Sequence, residues 1–272
     1  MSKSEKFNFG NDSVAKAYDS ILVPVLFEAW AKSLMQTHPP VPGNKVLDLA
    51  CGTGVVTKEL VQHLPPDGRV IALDINTQML DLAKTRCAAW ATHIDFREGT
   101  ADSLEIPENS LDQVFCQQGF QFFPRKKKVA QELYRVLKAG GTAVLTTWRH
   151  VSECDIFHAI CQSLEALDLH DISQLMRIPF DVVTEKDLLD SFSDTGFSSI
   201  QLAQQEADLY LPRGKDQAVT FAYSTPIGPK LRGLEMKRQD EFKHLLLHKM
   251  GQLHQARGSA GRMTSNVLML EK

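Results

Sequence analysis

Cysteine is scarce in this 272-residue chain: the five present, Cys51, Cys87, Cys116, Cys154 and Cys161, are odd in number, scattered, and include no Cys-x-x-Cys pair. That excludes a disulfide scaffold and the usual zinc frameworks, and suits a reducing, cytoplasmic setting. Positive charge is not in excess either. With 30 basic against 33 acidic residues and a net charge of −3, there is no broad field to hold a phosphate backbone, so nucleic acid is not an expected partner. Long apolar runs are missing. The most apolar segment, "ILVPVLFEAWA" from Ile21 to Ala31, is eleven residues long and contains Pro24 and Glu28, whereas a bilayer span needs about 20 apolar residues. It reads as a buried or lid helix, with no stable membrane insertion. The first twenty residues carry charges throughout and no signal-peptide core. No Asp/His cluster at ligand spacing follows the later strands, so no metal is expected.

What the chain does contain is a regular alternation. Short apolar runs at Val46–Ala50, Val70–Asp74, Ile94–Phe96, Leu111–Cys116 and Thr142–Thr147 suit buried parallel strands. Between them, Thr53–His63, Thr77–Trp90 and Lys127–Leu137 repeat apolar residues at helical spacing. Strand and helix in turn predict an α/β fold, a doubly wound Rossmann-like sheet of seven strands, mostly parallel. After Trp148 the rhythm breaks. A helix over Asp155–Leu167 reads as part of an insertion, and Thr184 with Asp187 forms a capping box that starts the next helix. "FSSIQLAQQEADLYL" alternates like a strand, helices follow at Asp216–Tyr223 and Leu231–Ala256, and "SNVLMLE" reads as a last strand. Two late strands joined by a long excursion predict an antiparallel edge. The resulting organisation is an amino-terminal helical lid (1–40), a cofactor-binding core (41–150), a helical insertion acting as a cap (151–183) and a completion of the sheet with carboxyl-terminal helices (184–272).

Chemistry is expected where the strands end. In an open α/β sheet, ligands bind at the carboxyl ends of the strands, and the first strand-to-helix turn is the floor of that crevice. Here it reads "LDLACGTGVVT". Gly52 and Gly54 allow positive φ and close ligand approach. A dinucleotide fold wants a third glycine in G-x-G-x-x-G, but Thr57 stands there, and Asp48 adds negative charge that would repel a pyrophosphate. The same charge attracts a cation, and the sulfonium of S-adenosylmethionine answers that description. Asp74, ending the second strand twenty residues after Gly54, is placed to accept ribose hydroxyls. Asp102, beside the small Ala101, is placed to accept from an exocyclic amine. Each residue also has a bland reading: Asp48, Asp74 and Asp102 as turn or cap carboxylates, and Met79 as core on an amphipathic helix.

Taken in order, "AKAYD", "VLDLACGTG", "VIALDINTQML", "GTADSLEIP", "LDQVFCQQGFQFFP" and "ELYRVLKAGG" resemble the class I S-adenosylmethionine-dependent methyltransferases, in particular the ubiquinone and menaquinone biosynthesis group. The resemblance implies that Asp48, Ala50, Gly52, Thr53 and Gly54 surround the methionine moiety. It implies that Asp74 takes the ribose, that Ile75 and Met79 flank the adenine, and that Thr100, Ala101 and Asp102 read its edge. Tyr18 and Gln117 would close the methionine end, with residues 11–35 and 151–183 as the elements that cofactor orders. The implied activity is direct methyl transfer to a small acceptor.

The departures are also informative. Quinone members often carry paired histidines before the "FP" that follows the fourth strand, and this chain has Gln121 and Phe122 there, so quinone substrates are not implied. "CQQG" lacks the Asn/Asp-Pro-Pro-Tyr pattern of amide and exocyclic-nitrogen methylation. The run "RKKK", Arg125–Lys128, reads as a solvated face. If the acceptor must lose a proton, His150 and His158 are the candidate bases by topology, each with a packing or surface role as the ordinary alternative. Phe27, Trp30, Trp148, Phe157, Phe180, Phe221 and Tyr223 are the candidate walls of an apolar or aromatic acceptor pocket. The assembly expected is a monomer or homodimer. Two other functions compete: a cofactor-binding, non-catalytic partner subunit, and a nicotinamide-dependent oxidoreductase, which the missing third glycine disfavours.

Overall fold

The computed structural model describes residues 16–41, 45–257 and 259–272, so residues 1–15 of the expected lid (1–40), and with them 11–15 of the segment that cofactor was expected to order, lie outside the described residues. β1 (Lys45–Leu49), β2 (Arg69–Asp74), β3 (Ile94–Glu98), β4 (Leu111–Gln117), β5 (Leu137–Trp148), β6 (Ser199–Asp208) and β7 (Arg262–Glu271) form one sheet in the order β3-β2-β1-β4-β5-β7-β6. β1 lies parallel to β2 and β4, β2 to β3, and β4 to β5. β1 therefore has β2 on one side and β4 on the other, which is the reversal of strand order where such sheets bind ligands. Val46, Leu47, Asp48 and Leu49 are all buried, as a strand covered on both faces requires.

The antiparallel region is at the predicted side of the sheet. Gly140 donates its amide to the Lys272 carbonyl while Arg149 donates to Thr264, and Ser198 donates to Glu271 while Leu209 donates to Gly261. In both sets the partner number falls as the donor number rises, so β7 runs antiparallel to β5 and to β6. The reversed strand lies one place in from the rim.

By compactness the chain divides into two units. The first holds the described part of Met1–Leu26, Trp148–Val182 and Gln205–Ser265; the second holds Phe27–Thr147, Val183–Gln204 and Asn266–Lys272. In the second unit, α1 (Glu28–Thr37), α2 (Val55–His63), α3 (Thr77–Arg86), α4 (Lys126–Val136) and α7 (Glu185–Phe192) accompany the parallel strands. The side chain of Asn76 caps α3 by accepting from the amides of Gln78 and Met79. α4 buries Val129, Ala130, Leu133 and Val136 along one face. The capping box at Thr184 and Asp187 starts α7 as predicted.

The first unit contains α5 (Asp155–Glu165), α6 (His170–Asp181), α8 (Gln217–Tyr223), α9 (Gly228–Arg232) and α10 (Met236–Arg257). Its centre is aromatic: Phe157 packs tilted against Phe180 with ring centroids 4.7 Å apart and edge-on against Phe221 at 5.3 Å, and Trp148 meets Phe180 at 6.4 Å. These four were candidate acceptor walls, and here they are buried core. In the wide, π-type helix Tyr18–Phe27, Leu22, Val23 and Leu26 are buried, and Trp30 and Ala31 of α1 are buried too. No helix among the described residues is long and apolar enough to cross a membrane.

Several element boundaries depart from expectation. The helix expected over Thr77–Trp90 stops at Arg86, and a separate 3₁₀ turn covers Ala88–His93. α6 lies within the helical insertion expected over 151–183, where only the helix over Asp155–Leu167 was delimited. The helix expected over Leu231–Ala256 is two helices, α9 and α10. β5 begins at Leu137 instead of Thr142 because Gly140, at φ +74°, stays in the strand and bonds to Lys272 just past β7.

Gly54 fixes how α2 meets α3. Its φ is +80°, and a Cβ there would lie 2.9 Å from the Cβ of Ala83 and 3.0 Å from that residue's Cα. Gly140 is also left-handed but has nothing within 4 Å of such a Cβ. Gly54→Ala should therefore cost roughly 2–4 kcal/mol from strain plus overpacking, and Gly140→Ala only about 1 kcal/mol from strain alone. Urea unfolding of the two variants checks this, and equal losses would contradict the close approach of α2 to α3.

Candidate active site

Turns at the carboxyl ends of β1 and β4 hold two non-glycine residues with positive φ, Ala50 at 56° and Gln118 at 56°. Such conformations persist only where surrounding contacts impose them. Gln118 is held by its amide, which donates to the Thr146 carbonyl at 3.1 Å. Cys51, next to Ala50, donates its amide to the Leu73 carbonyl at 3.0 Å. Gly119 is required because a Cβ there would approach the Cβ of Ala50 to 2.7 Å. The ends of β1 and β4 thus interlock.

Asp74 ties the second strand to this turn. One carboxylate oxygen accepts from the Gly52 amide at 2.8 Å and the other from the Asn76 amide at 2.9 Å. Burial raises its pKa, against the lowering effect of the Asn76, Gly52 and Ile75 amides. Gly52 itself has φ +54° and open space where a Cβ would be, so its surface stays free for a ligand to approach.

Asp48 lies deeper, at 1% exposure. Its Oδ2 accepts from the Thr57 hydroxyl at 2.5 Å, and its Oδ1 has no hydrogen-bond partner among the described residues. Thr57 stands where a dinucleotide site has its third glycine, so the substitution that disfavours pyrophosphate also supplies this carboxylate's partner. Burial pushes the Asp48 carboxyl up to about 7; the Thr57 hydrogen bond opposes the rise and the charge of Asp74 adds to it.

A cavity of about 190 Å³ opens at these strand ends, lined by Ala50, Asp74, Ile75, Thr100, Ala101 and Asp102 of the predicted set, and additionally by Phe123, Pro124 and Arg125. Ile75 is 70% exposed, an apolar surface presented at the site. Asp102 is buried and accepts from the Nε of Arg125, while its Oδ1 has no partner among the described residues. Burial pushes the Asp102 carboxyl up, but hydrogen bonds from Arg125 and Thr100 and the guanidinium charge more than offset this and hold it below its ordinary value.

Of the other predicted residues in this unit, Gly52, Thr53, Gly54 and Asp48 form the turn and the strand beneath it. Thr53 is buried and offers its carbonyl to Arg86 at 2.9 Å. The Met79 side chain is buried on α3 and does not line the cavity. Gln117 donates its Nε2 to the Phe27 carbonyl at 3.3 Å and keeps a buried Oε1 without a partner among the described residues. Tyr18, His150 and His158 belong to the other unit. There His150 caps the turn Val151–Glu153 by accepting from the Ser152 amide. His158 lines a groove with Gln162, Lys249 and Gln252, and burial with the nearby Arg177 lowers its pKa. No group of three or more His, Cys, Asp or Glu suited to a metal occurs among the described residues. Arg125 was missed because its run of four basic residues reads as a solvated face; its position directly after the "FFP" that ends the β4 turn was the available signal.

The ubiE/COQ5 methyltransferase family model matches residues 2–163. The chain belongs to that family. Demethylmenaquinone methyltransferase of Lactococcus lactis subsp. lactis (strain IL1403) is 33% identical over 143 residues, 51% of this chain and 57% of the relative. Ubiquinone/menaquinone biosynthesis C-methyltransferase UbiE of Hydrogenovibrio crunogenus (strain DSM 25203 / XCL-2) is 32% identical over 147 residues, 52% of this chain and 58% of the relative. The match thus spans a little over half the length of these curated relatives. Among solved structures, phosphoethanolamine N-methyltransferase 2 of Haemonchus contortus, in complex with S-adenosyl-L-methionine, aligns with a TM-score of 0.63 at 18% identity, covering 100% of this chain and 60% of that one. That likeness is one of fold.

The environment of Asp48 has a consequence for stability. A carboxyl whose folded-state pKa lies near 7 and whose ordinary value is 3.8 holds its proton more tightly in the folded chain, so it favours folding at low pH and weighs against it as pH rises through that interval. Asp48→Asn keeps an acceptor for Thr57 and removes the charge. The variant's stability relative to the parent should climb between about pH 4 and pH 7 and level off above, by at most about 4 kcal/mol. Urea unfolding across that range checks it; a difference independent of pH would contradict the burial of an ionisable Asp48.

Proposed function

We propose that this chain transfers the methyl group of S-adenosylmethionine to a small apolar or aromatic acceptor. The observation that carries the reading is the cavity at the ends of β1, β2 and β3, which brings Ala50 of the glycine turn, the carboxylates of Asp74 and Asp102 and the exposed apolar side chain of Ile75 together in one place. The residues present fit the cofactor. Asp74 would hold the ribose and Ile75 flank the adenine. Thr100, Ala101 and the unpartnered Oδ1 of Asp102 would meet its amino edge. Asp48, Ala50, Gly52, Thr53 and Gly54 would surround the methionine moiety, with Gln117 at its end. Met79 would serve as packing behind the adenine.

When bound, the cofactor supplies a methyl carbon activated by a positively charged sulfur. The chemistry it would supply is displacement at that carbon by an electron pair of the acceptor, with the sulfur leaving as a neutral thioether. The protein's part is alignment and exclusion of water. Asp48, short of partners in a buried site, gains a favourable interaction from the cation and loses it on transfer. His150 and His158 remain the candidate groups to take an acceptor proton. Residues 1–40 and 151–183 keep their assignment as elements governing acceptor entry. The names of the relatives bring quinone precursors into the acceptor class; Gln121 and Phe122 leave other aromatic acceptors equally open.

Calorimetry with S-adenosylhomocysteine should show binding by the intact chain and a loss of at least about tenfold in Asp74→Ala, from removal of charge-assisted hydrogen bonds. Incubation of cell-extract metabolites and a demethylated naphthoquinol with labelled methyl donor should label a small apolar product. Absence of cofactor binding would overturn the proposal, and binding without labelling of any acceptor would favour the non-catalytic partner subunit.

A further inference from the structure

Arg125 stands apart from the three lysines that follow it. Lys126 donates to the carbonyls of Gln121 and Phe123, and Lys127 meets Asp194 at the surface. Arg125 instead lines the cavity and pairs with Asp102, although its own side chain is 61% exposed against 6% for the carboxylate. Exposed surface ion pairs contribute little because water competes for both partners. A nearly closed carboxylate differs: left alone it would be poorly solvated and driven toward its neutral form.

The pairing is also directional. Arg125 uses its Nε on Oδ2, and Oδ1 is left without a partner among the described residues. Thr100 and Ala101 line the same cavity. A carboxylate held ionised by one oxygen presents the other purely as an acceptor. An acceptor in this position suits a base that offers an exocyclic N–H and repels one that offers a carbonyl oxygen.

Resting on the cofactor reading above, we propose that Arg125 is a positioning residue that sets base selectivity, fixing Asp102 by Oδ2 so that Oδ1 accepts from the 6-amino group of adenine and rejects a 6-oxo purine. Arg125 touches the carboxylate and acts through it. Lysine is not an equivalent replacement, because an ammonium is a point charge without the planar fork that fixes one oxygen.

The test is calorimetry of the full chain with S-adenosylhomocysteine and with its deaminated analogue S-inosylhomocysteine, for the parent, Arg125→Ala and Arg125→Lys. The parent should prefer the adenosyl compound. In Arg125→Ala that affinity should fall about tenfold, the scale of one hydrogen bond to a charged group, and the preference should narrow because a freed Asp102 can reorient or take up a proton. Millimolar methylguanidinium should restore part of both in Arg125→Ala, and Arg125→Lys should keep affinity better than preference. Unchanged or tighter adenosyl binding in Arg125→Ala, or an undiminished preference in both variants, would overturn the inference while leaving the cofactor reading intact. Failure of the parent to bind S-adenosylhomocysteine would overturn both.

Discussion

The hydrogen bond from the Gly52 amide to the Asp74 carboxylate joins the end of β1 to the end of β2, and the geometry of the site depends on it. Parallel neighbours in a sheet are held by their ladder, but their loops are not, so the crevice beyond the strands needs bonds of its own. Here the glycine turn donates to the carboxylate of the next strand, and that carboxylate in turn accepts from Asn76, which caps α3. Loop, strand end and helix start become one unit. The positive φ at Ala50 and the close approach of Gly119 extend the same lock toward β4.

Three carboxylates at these strand ends have three environments, and their differences follow from what surrounds each. Asp48 is buried with a hydroxyl as its partner, which cannot balance the lost hydration, so its carboxyl holds a proton near neutrality. Asp74 has backbone amides on both oxygens, which moderate the same effect. Asp102 has a guanidinium and is held ionised. Negative charge is thus most available where a base edge would lie and least supported where the methionine end would lie. A site of that kind gains from a ligand that brings its own positive charge to the deep end. It also explains why Thr57 in place of a third glycine matters twice, once by blocking a phosphate turn and once by supporting Asp48.

The aromatic residues of the later chain illustrate how far composition can mislead. Trp148, Phe157, Phe180 and Phe221 stood as candidate pocket walls, yet they pack against one another in the core of their unit. A helical addition must bury apolar surface to be ordered at all, and large rings accomplish this with few residues. Whether such a ring faces a cavity or a neighbouring ring depends on helix packing, which leaves no local trace in the sequence.

Local rules made much of this molecule legible. The parallel strands were readable because strands covered on both faces are near-continuous apolar runs, and the capping box at Thr184 and Asp187 because its two hydrogen bonds are made within one turn. The glycine turn, Asp74, Ala101 and Asp102 followed from the rule that ligands meet strand ends. Contacts distant in sequence were not readable. Gly140 looks like a stop and is part of a strand, because Lys272, just past the end of β7, arrives to accept its amide. Arg125 looks like a solvated charge and instead reaches a carboxylate 23 positions earlier. By itself the sequence determined the order of elements and the residues offered at each strand end, since those depend on periodicity and turn chemistry; tertiary structure alone decided which oxygen of Asp102 is engaged and which rings fill a core, since a partner distant in the chain is chosen only when packing brings it within bonding distance.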